Sequence, residues 1–335
     1  MSTAPVKWGV IGAGGFADKR FLPQFAGAPS AELHAVMVRD RQRAEEIAGR
    51  HGAARAYDTV EGLLADDEVQ AVYVCTPVQH HCEHVIAAAA RAGKHVLCEK
   101  PMARTEVECE QMVRACEAAG VKLMMAFMNR FRPAHRRIRE MIVAGELGQI
   151  IMVRTQQSSY YQRAEGSWRQ DPRLGGGGAL YDIGSHALDL LCYLGGPVAR
   201  VSALVDTRVQ DYEVDDVATA LLELESGAHG IMFTSFCVKG RANPVEVFGT
   251  ERSVLCRRTA GPYEQGEVIV AESDGSEQRL EGFAPTYGYV EEIEHLSRCI
   301  IEGSQPEVTG HDGLHNVAIM RAMQQSARTG RTIRL

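Results

Sequence analysis

Three groups of residues in this 335-residue chain have types and spacings that could do chemistry. The first is Gly12-Ala13-Gly14-Gly15-Phe16-Ala17, a G-x-G-x-x-A run directly after the apolar stretch that ends at Ile11. Gly12 permits a tight turn, Gly14 lets the backbone come close to a pyrophosphate, and Ala17 allows the following helix to pack on the strand. The free amides and positive end of that helix suit phosphate groups. The second is Lys100, placed after the apolar run His95-Val96-Leu97-Cys98 and before Pro101, which stops a strand from continuing. An ammonium there is able to hydrogen-bond a reacting oxygen; the alternative is a surface lysine ahead of a helix. The third is Asp182 with His186, four residues apart in a helical pattern, so that both side chains share one face. A carboxylate beside an imidazole orients it and stabilises its protonated form, which a base removing a hydroxyl proton near neutral pH requires. The alternatives are a helix-capping aspartate and a core histidine. The run Gly176-Gly177-Gly178 just before the pair would let a loop pass close to a ligand.

A fourth signal bears on cofactor choice. The second apolar run ends Val36-Met37-Val38-Arg39-Asp40-Arg41-Gln42-Arg43, where NAD-binding folds place a carboxylate for the adenosine ribose. Val38 stands at that position, and Arg39 and Arg43 suit a 2′-phosphate through their forked donors. NADP is favoured, and NAD is the alternative because Asp40 could supply the acid one step along.

The elements that must position these residues follow from hydrophobic periodicity. From Val6 onward, short apolar runs at 7–11, 32–38, 71–75, 95–98 and 122–126 alternate with amphipathic stretches at 16–25, 42–51, 60–65, 81–92 and 106–119. Parallel strands joined by right-handed helical crossovers give a doubly wound α/β domain. After a helix over 133–144 the texture becomes longer alternating runs at 150–159, 200–207, 216–224, 229–236 and 244–248, with helices over 287–302 and 313–329. That pattern implies an α+β domain on an open, mostly antiparallel sheet. The expected organisation is a dinucleotide-binding Rossmann domain over 1–126 and a substrate-binding and oligomerisation domain over 127–335. The length itself argues for two cores.

Composition narrows the function classes. With 45% hydrophobic and 24% charged residues the chain is an ordinary globular protein. A net charge of −7 and the absence of a long basic cluster argue against nucleic acid or an anionic membrane as partner. Nine cysteines without a C-x-x-C pair read as reduced thiols, and neither a signal core nor a membrane span is visible, so a cytoplasmic location is expected. Cys98 reads as a buried thiol ending a strand. His80, His81, His84 and Glu83 do not have the spacing of a metal motif and read as solvated or cofactor-edge groups, so no metal is expected.

Beyond these, Val74-Cys75-Thr76-Pro77 with His81, and Cys98-Glu99-Lys100-Pro101, together with the glycine loop, resemble the signature of the Gfo/Idh/MocA family, the glucose-fructose oxidoreductase and inositol dehydrogenase group. Trp168-Arg169-Gln170-Asp171-Pro172 and the stretch from Gly176 to Asp189 resemble its second-domain motif, so the similarity spans essentially the whole chain. The resemblance implies an NAD(P)-dependent oxidoreductase that moves a hydride between nicotinamide and a hydroxyl or keto carbon of a sugar, polyol or related small molecule. It implies catalytic roles for Lys100, Asp182 and His186. It implies cofactor contacts from Gly12, Gly14, Gly15, Phe16, Ala17, Arg39, Arg43, Thr76, Pro77, His81, Glu99, Lys100, Asn129, Trp168, Arg169 and Tyr289; for Asn129 helix capping before Pro133 is the alternative. Tyr161, Tyr181 and Arg169, with Tyr160 and Arg163 nearby, would face the substrate beside Lys100, Asp182 and His186. Relatives often form dimers or tetramers through the second-domain sheet. Two other readings are a dinucleotide-binding regulator without catalysis and a glycosidase with a transient redox step.

Overall fold

The computed structural model describes residues 4–164, 167–240, 243–261 and 266–335, and of Trp168 the backbone alone. Its first elements are β1 (Val6–Ile11), β2 (Ala31–Met37), α1 (Arg41–His51), β3 (Arg55–Tyr57), α2 (Val60–Leu64), β4 (Ala71–Val74), α3 (His81–Ile86), β5 (His95–Cys98), α4 (Glu106–Ala118) and β6 (Leu123–Met125). The six strands are parallel and lie in the order β3-β2-β1-β4-β5-β6. Every residue of β4 is fully buried, which a parallel strand covered on both faces by crossover helices requires. Chain order reverses on the two sides of β1, so a crevice opens at the carboxyl edge between β1 and β4.

Two features of this sheet differ from the periodicity. The stretch over 16–25 is a π turn, Ala17–Phe21, followed by a 3-10 turn, Leu22–Gly27. Pro23 lacks the amide that an α-ladder needs, which ends regular winding there. Strand β3 is three residues long, too short to display a period.

The next elements are α5 (Pro133–Val143), β7 (Ile150–Ser158), α6 (Pro172–Gly175), α7 (Ser185–Gly195), β8 (Val198–Asp206), β9 (Val217–Leu224), β10 (His229–Ser235), β11 (Val245–Gly249), β12 (Ser253–Arg257), β13 (Glu267–Ala271) and β14 (Glu277–Leu280). The chain closes with α8 (Tyr289–Glu302), α9 (Gly310–Thr329) and β15 (Ile333–Arg334). A nine-stranded sheet has the order β14-β13-β12-β11-β7-β10-β9-β8-β15. Its neighbours are antiparallel except β7 and β10, which pair in parallel. Strands β12 to β14 were not apparent in the sequence. Helix α7 covers one face: Thr155 Oγ1 donates to Ala187 O at 2.9 Å, and a Cβ on Gly195 would meet Leu224 at 2.6 Å.

The chain forms two compact units, Met1–Ala126 with Tyr289–Leu314, and Phe127–Gly288 with His315–Leu335. A single second domain over 127–335 is therefore corrected: Tyr289–Leu314 packs with the first unit. The reason lies in α8, whose Ile293, Leu296 and Cys299 are buried and which rests on β1 and β2. Trp8 is fully buried in β1 and its indole donates to Ser297 Oγ at 3.0 Å, while Ser30 N and Oγ donate to the Glu294 carboxylate at 2.9 and 2.7 Å. No helix among the described residues is long and apolar enough to cross a membrane.

Replacing Ser297 by Ala strands the Trp8 N–H in the core and is expected to cost about 1–3 kcal/mol. Urea unfolding followed by tryptophan fluorescence measures this; an unchanged midpoint would contradict the anchoring role of α8.

Candidate active site

Four loops gather at the carboxyl edge of the parallel sheet, after β1, β2, β4 and β5. Gly12 has φ +88°, and a Cβ there would lie 2.6 Å from Cys75 O, so both the left-handed turn and the close approach demand glycine. The Gly12 and Ala13 amides donate to Met37 O, both at 3.0 Å. By contrast, the amides of Gly14 and Gly15 meet no backbone acceptor among the described residues. A Cβ on Gly14 would touch only Val38 Cγ1 at 3.7 Å, and one on Gly15 would meet nothing within 4 Å. Open space lined by unspent donors fits the pyrophosphate of a dinucleotide. Phe16 is exposed beside this loop, with its ring 5.8 Å edge-to-face from Tyr289, and Ala17 is buried beneath it.

After β2, Val38 stands against Gly14, and the Asp40 carboxylate caps α1 by accepting from Arg43 N at 2.9 Å. Arg39 is exposed. Arg43 Nη2 donates to Asp18 at 2.8 Å. After β4, Thr76 Oγ1 lies 3.1 Å from His84 Nδ1 and Pro77 is exposed.

His81, expected as a solvated or cofactor-edge group, is 1% exposed. Its Nε2 is 2.8 Å from Thr76 O, and its Nδ1 is 3.1 and 3.2 Å from the carbonyls of Pro101 and Met102. Burial pushes its pKa down to about 4. It is a tie between two loops and not a surface ligand. After β5, Glu99 accepts from the Tyr73 hydroxyl with one oxygen and from Lys100 N with the other at 3.0 Å. Burial raises the Tyr73 pKa well above the ordinary phenol value, so the hydroxyl stays a donor. Lys100 itself is half-buried. The adjacent Cys98 is fully buried and burial raises its pKa well above that of a free thiol, as a structural cysteine requires.

In the second unit, Asp182 lies in a π turn, Leu180–Gly184, that runs into α7. Such turns recur at functional sites because they re-aim side chains within a helix. Asp182 is 5% exposed and accepts from Arg169 Nε at 2.9 Å; His186, in the first turn of α7, is half-buried. Tyr161 is 38% exposed with its ring edge-to-face on Phe236 at 4.8 Å. Arg163 is engaged with Asp211. Asn129 does not cap α5; its amide nitrogen and oxygen are buried and meet no partner among the described residues. An orphaned, buried amide is what a ligand-contacting position would show. The side chain of Trp168 lies outside the described residues.

Two expectations for this unit are corrected. The glycine run is expected to let a loop pass close to a ligand, yet a Cβ on Gly178 would fall 1.9 Å from Asp215 O, and Gly178 N and Leu180 N donate to the Asp215 carboxylate at 2.8 and 2.7 Å. The close approach is thus to Asp215, a residue sequence reasoning missed. Tyr181, expected at a substrate face, is 1% exposed and belongs to the interior, where a Cβ on Gly177 would touch its ring. Also unforeseen was Asp189, which accepts from Arg130 Nε and Nη2 at 2.9 and 2.6 Å inside the unit.

Among the described residues one group, His34, Asp66 and Glu68, brings three ligand-type atoms within 4.8 Å. Asp66 Oδ2 is already met by His34 Nε2 at 3.0 Å and Tyr57 OH at 2.9 Å, and Glu68 pairs with Lys7, so the trio works as a hydrogen-bonded strut.

Comparison with known proteins matches residues 6–127 to the oxidoreductase family with an NAD-binding Rossmann fold, and residues 135–255 to the GFO/IDH/MocA C-terminal domain. The chain is 33% identical to D-xylose 1-dehydrogenase (NADP(+)) 2 of Haloferax volcanii, over 98% of this chain and 99% of that one. Among solved structures, aldose-aldose oxidoreductase from Caulobacter crescentus, complexed with glycerol, superposes with a TM-score of 0.92 at 30% identity, covering 99% and 100% of the two chains. Levoglucosan dehydrogenase in complex with NADH and levoglucosan gives 0.89 at 26% identity, covering 98% and 99%.

The buried histidines generate a pH prediction. Burial depresses the pKa of His81 and of His95 to about 4, and that of His135 to about 3. The unfolded chain takes up these protons near about pH 6.5, before the folded chain does. Stability present above about pH 6.5 is therefore lost as pH falls towards about 4. Denaturant midpoints should drop steadily through that window; a flat profile would contradict the assignment.

Proposed function

Since the chain belongs to the GFO/IDH/MocA family of oxidoreductases, we propose specific roles for the residues just located in its hydride-transfer reaction. The protein is a nicotinamide-dependent enzyme acting on a hydroxyl or keto carbon of a sugar, polyol or related small molecule. The observation that carries the site assignment is the placement of Lys100 on the same sheet edge as the glycine loop, with its backbone fixed by Glu99. When bound, the nicotinamide accepts or returns the hydride. The glycine loop holds the pyrophosphate with the amides of Gly14 and Gly15, while Phe16, Ala17, Thr76, Pro77 and Tyr289 shape the surrounding wall. The Lys100 ammonium donates to the substrate oxygen and polarises it. His186 removes the hydroxyl proton in oxidation and returns it in reduction. Asp182 supports the imidazolium form, and its bond from Arg169 holds the carboxylate still. Arg169, Tyr161 and Asn129 supply further polar contacts to substrate and cofactor.

The preferred cofactor is NADP. Val38 stands beside Gly14 where a ribose-binding acid would be, Asp40 is spent as a helix cap, and Arg39 and Arg43 lie close by in sequence. The D-xylose dehydrogenase relative carries NADP(+) in its name, whereas the levoglucosan dehydrogenase structure holds NADH. The enzyme assembles through the sheet face opposite α7, where Leu204 and Leu221 are 74% and 62% exposed.

Two experiments test this reading. A Lys100→Ala variant, assayed by nicotinamide absorbance across polyols and keto-sugars, should lose at least about a hundredfold in kcat while binding cofactor almost as before; unchanged turnover would remove Lys100 from the mechanism. Leu221→Asp should convert a dimer or tetramer to monomers in light scattering after gel filtration. Wild-type protein that is already monomeric would overturn the assembly.

A further inference from the structure

We propose that Asp18 is a positioning residue that determines cofactor choice, by pinning Arg43 for the 2′-phosphate of NADP; this rests on the NADP reading above. Asp18 lies in the π turn directly after the glycine loop and is 4% exposed. Three basic side chains from α1 converge on its one carboxylate. Arg43 Nη2 reaches Oδ2 at 2.8 Å, Arg50 Nη1 reaches both oxygens at 2.7 and 2.8 Å, and His51 Nε2 lies 2.9 Å from Oδ1. Packing one turn against one helix needs a single such pair. Here two guanidinium groups share the buried carboxylate, and among the described residues the one other acid paired with the Arg43 guanidinium is the exposed Glu46, 3.5 Å from its Nη1.

The division of contacts gives the cluster its meaning. Arg50 touches both carboxylate oxygens and balances the negative charge that would otherwise repel a phosphate. Arg43 donates to Asp18 through Nη2 alone, has its Nη1 in a looser ion pair with the exposed Glu46 at 3.5 Å, and remains 44% exposed in its side chain. The exposed remainder of its guanidinium stays available for an anion, which would displace the loose Glu46 contact and leave the Asp18 bond in place. Arg43 belongs to the first turn of α1, three residues after the Asp40 cap, and so follows the end of β2, the stretch that reads the adenosine ribose in doubly wound folds. An unpinned arginine loses side-chain freedom when it grips a phosphate. One already held has lost that freedom in advance, and the phosphate binds more tightly for it. Asp18 thereby acts on cofactor choice without touching the cofactor.

The test is calorimetric titration of the full chain with adenosine 2′,5′-bisphosphate and with ADP, which need no turnover. Wild type is expected to bind the bisphosphate at least about tenfold more tightly, the value of one charge-assisted bond. In Asp18→Asn that preference should fall about tenfold, towards parity, with ADP affinity within about twofold of wild type. Because a buried charge is removed, Arg50→Gln serves as the second variant: it alters a half-exposed side chain, leaves Asp18 balanced by Arg43, and should lower the preference at least about threefold. If folded variants keep the wild-type ratio, Asp18 only packs the turn against α1 and the inference fails alone. Equal affinities in wild type would overturn the NADP reading and this inference together.

Discussion

Parallel strands deliver all their carboxyl ends to one edge, and what happens there depends on how the loops leaving that edge are tied. In this chain two polar side chains, one buried and one half-buried, do most of the tying. The His81 imidazole sits between the carbonyl of Thr76 on one side and those of Pro101 and Met102 on the other. The Glu99 carboxylate joins the Tyr73 hydroxyl, deep in the sheet, to the amide of Lys100. Lys100 thus stands in a backbone whose position is set from both sides. A long side chain on a fixed backbone is how a flexible ammonium becomes a defined one. Neither tie touches a ligand, yet each limits where the reacting groups can be.

The second unit solves the same problem with charge. Asp215 accepts from Gly178 N and Leu180 N, and Asp216 from the amides of Arg208, Val209 and Gln210. Backbone donors stand in for water around these carboxylates. The balance differs between neighbours: burial raises the pKa of Asp215, whereas for Asp216 the backbone bonds outweigh burial and lower it. Through Asp215 the glycine run is locked just ahead of the π turn that bears Asp182. The buried pair of Arg130 with Asp189 fixes α7 further along, with the Arg130 guanidinium over the Tyr193 ring at 5.4 Å. Removing either partner would leave an unpaired buried charge, at about 3–5 kcal/mol.

Much of this was legible in the sequence, and the pattern of success has a physical basis. The glycine loop, the strand and helix alternation and the lysine after β5 are local signals. Period, turn chemistry and sequence order carry them. What stayed hidden depends on partners distant in sequence. Nothing near His81 announces that its ring meets carbonyls twenty residues on, and nothing near Gly178 points to Asp215. Strands β12 to β14 are short and interrupted by charged turns. The return of α8 to the first unit rests on Trp8 meeting Ser297, a contact between the two ends of the chain. Asp18, too, reads as an ordinary helix residue until Arg43, Arg50 and His51 are brought onto it.

The central claim is that this chain moves a hydride between a sugar-like carbinol carbon and nicotinamide. It is tested most directly by turning over a polyol deuterated at the reacting carbon and examining the reduced cofactor by mass spectrometry and NMR. The account predicts one deuterium per turnover on the nicotinamide ring. Turnover that releases a free sugar while leaving the cofactor pool oxidised and unlabelled would contradict it.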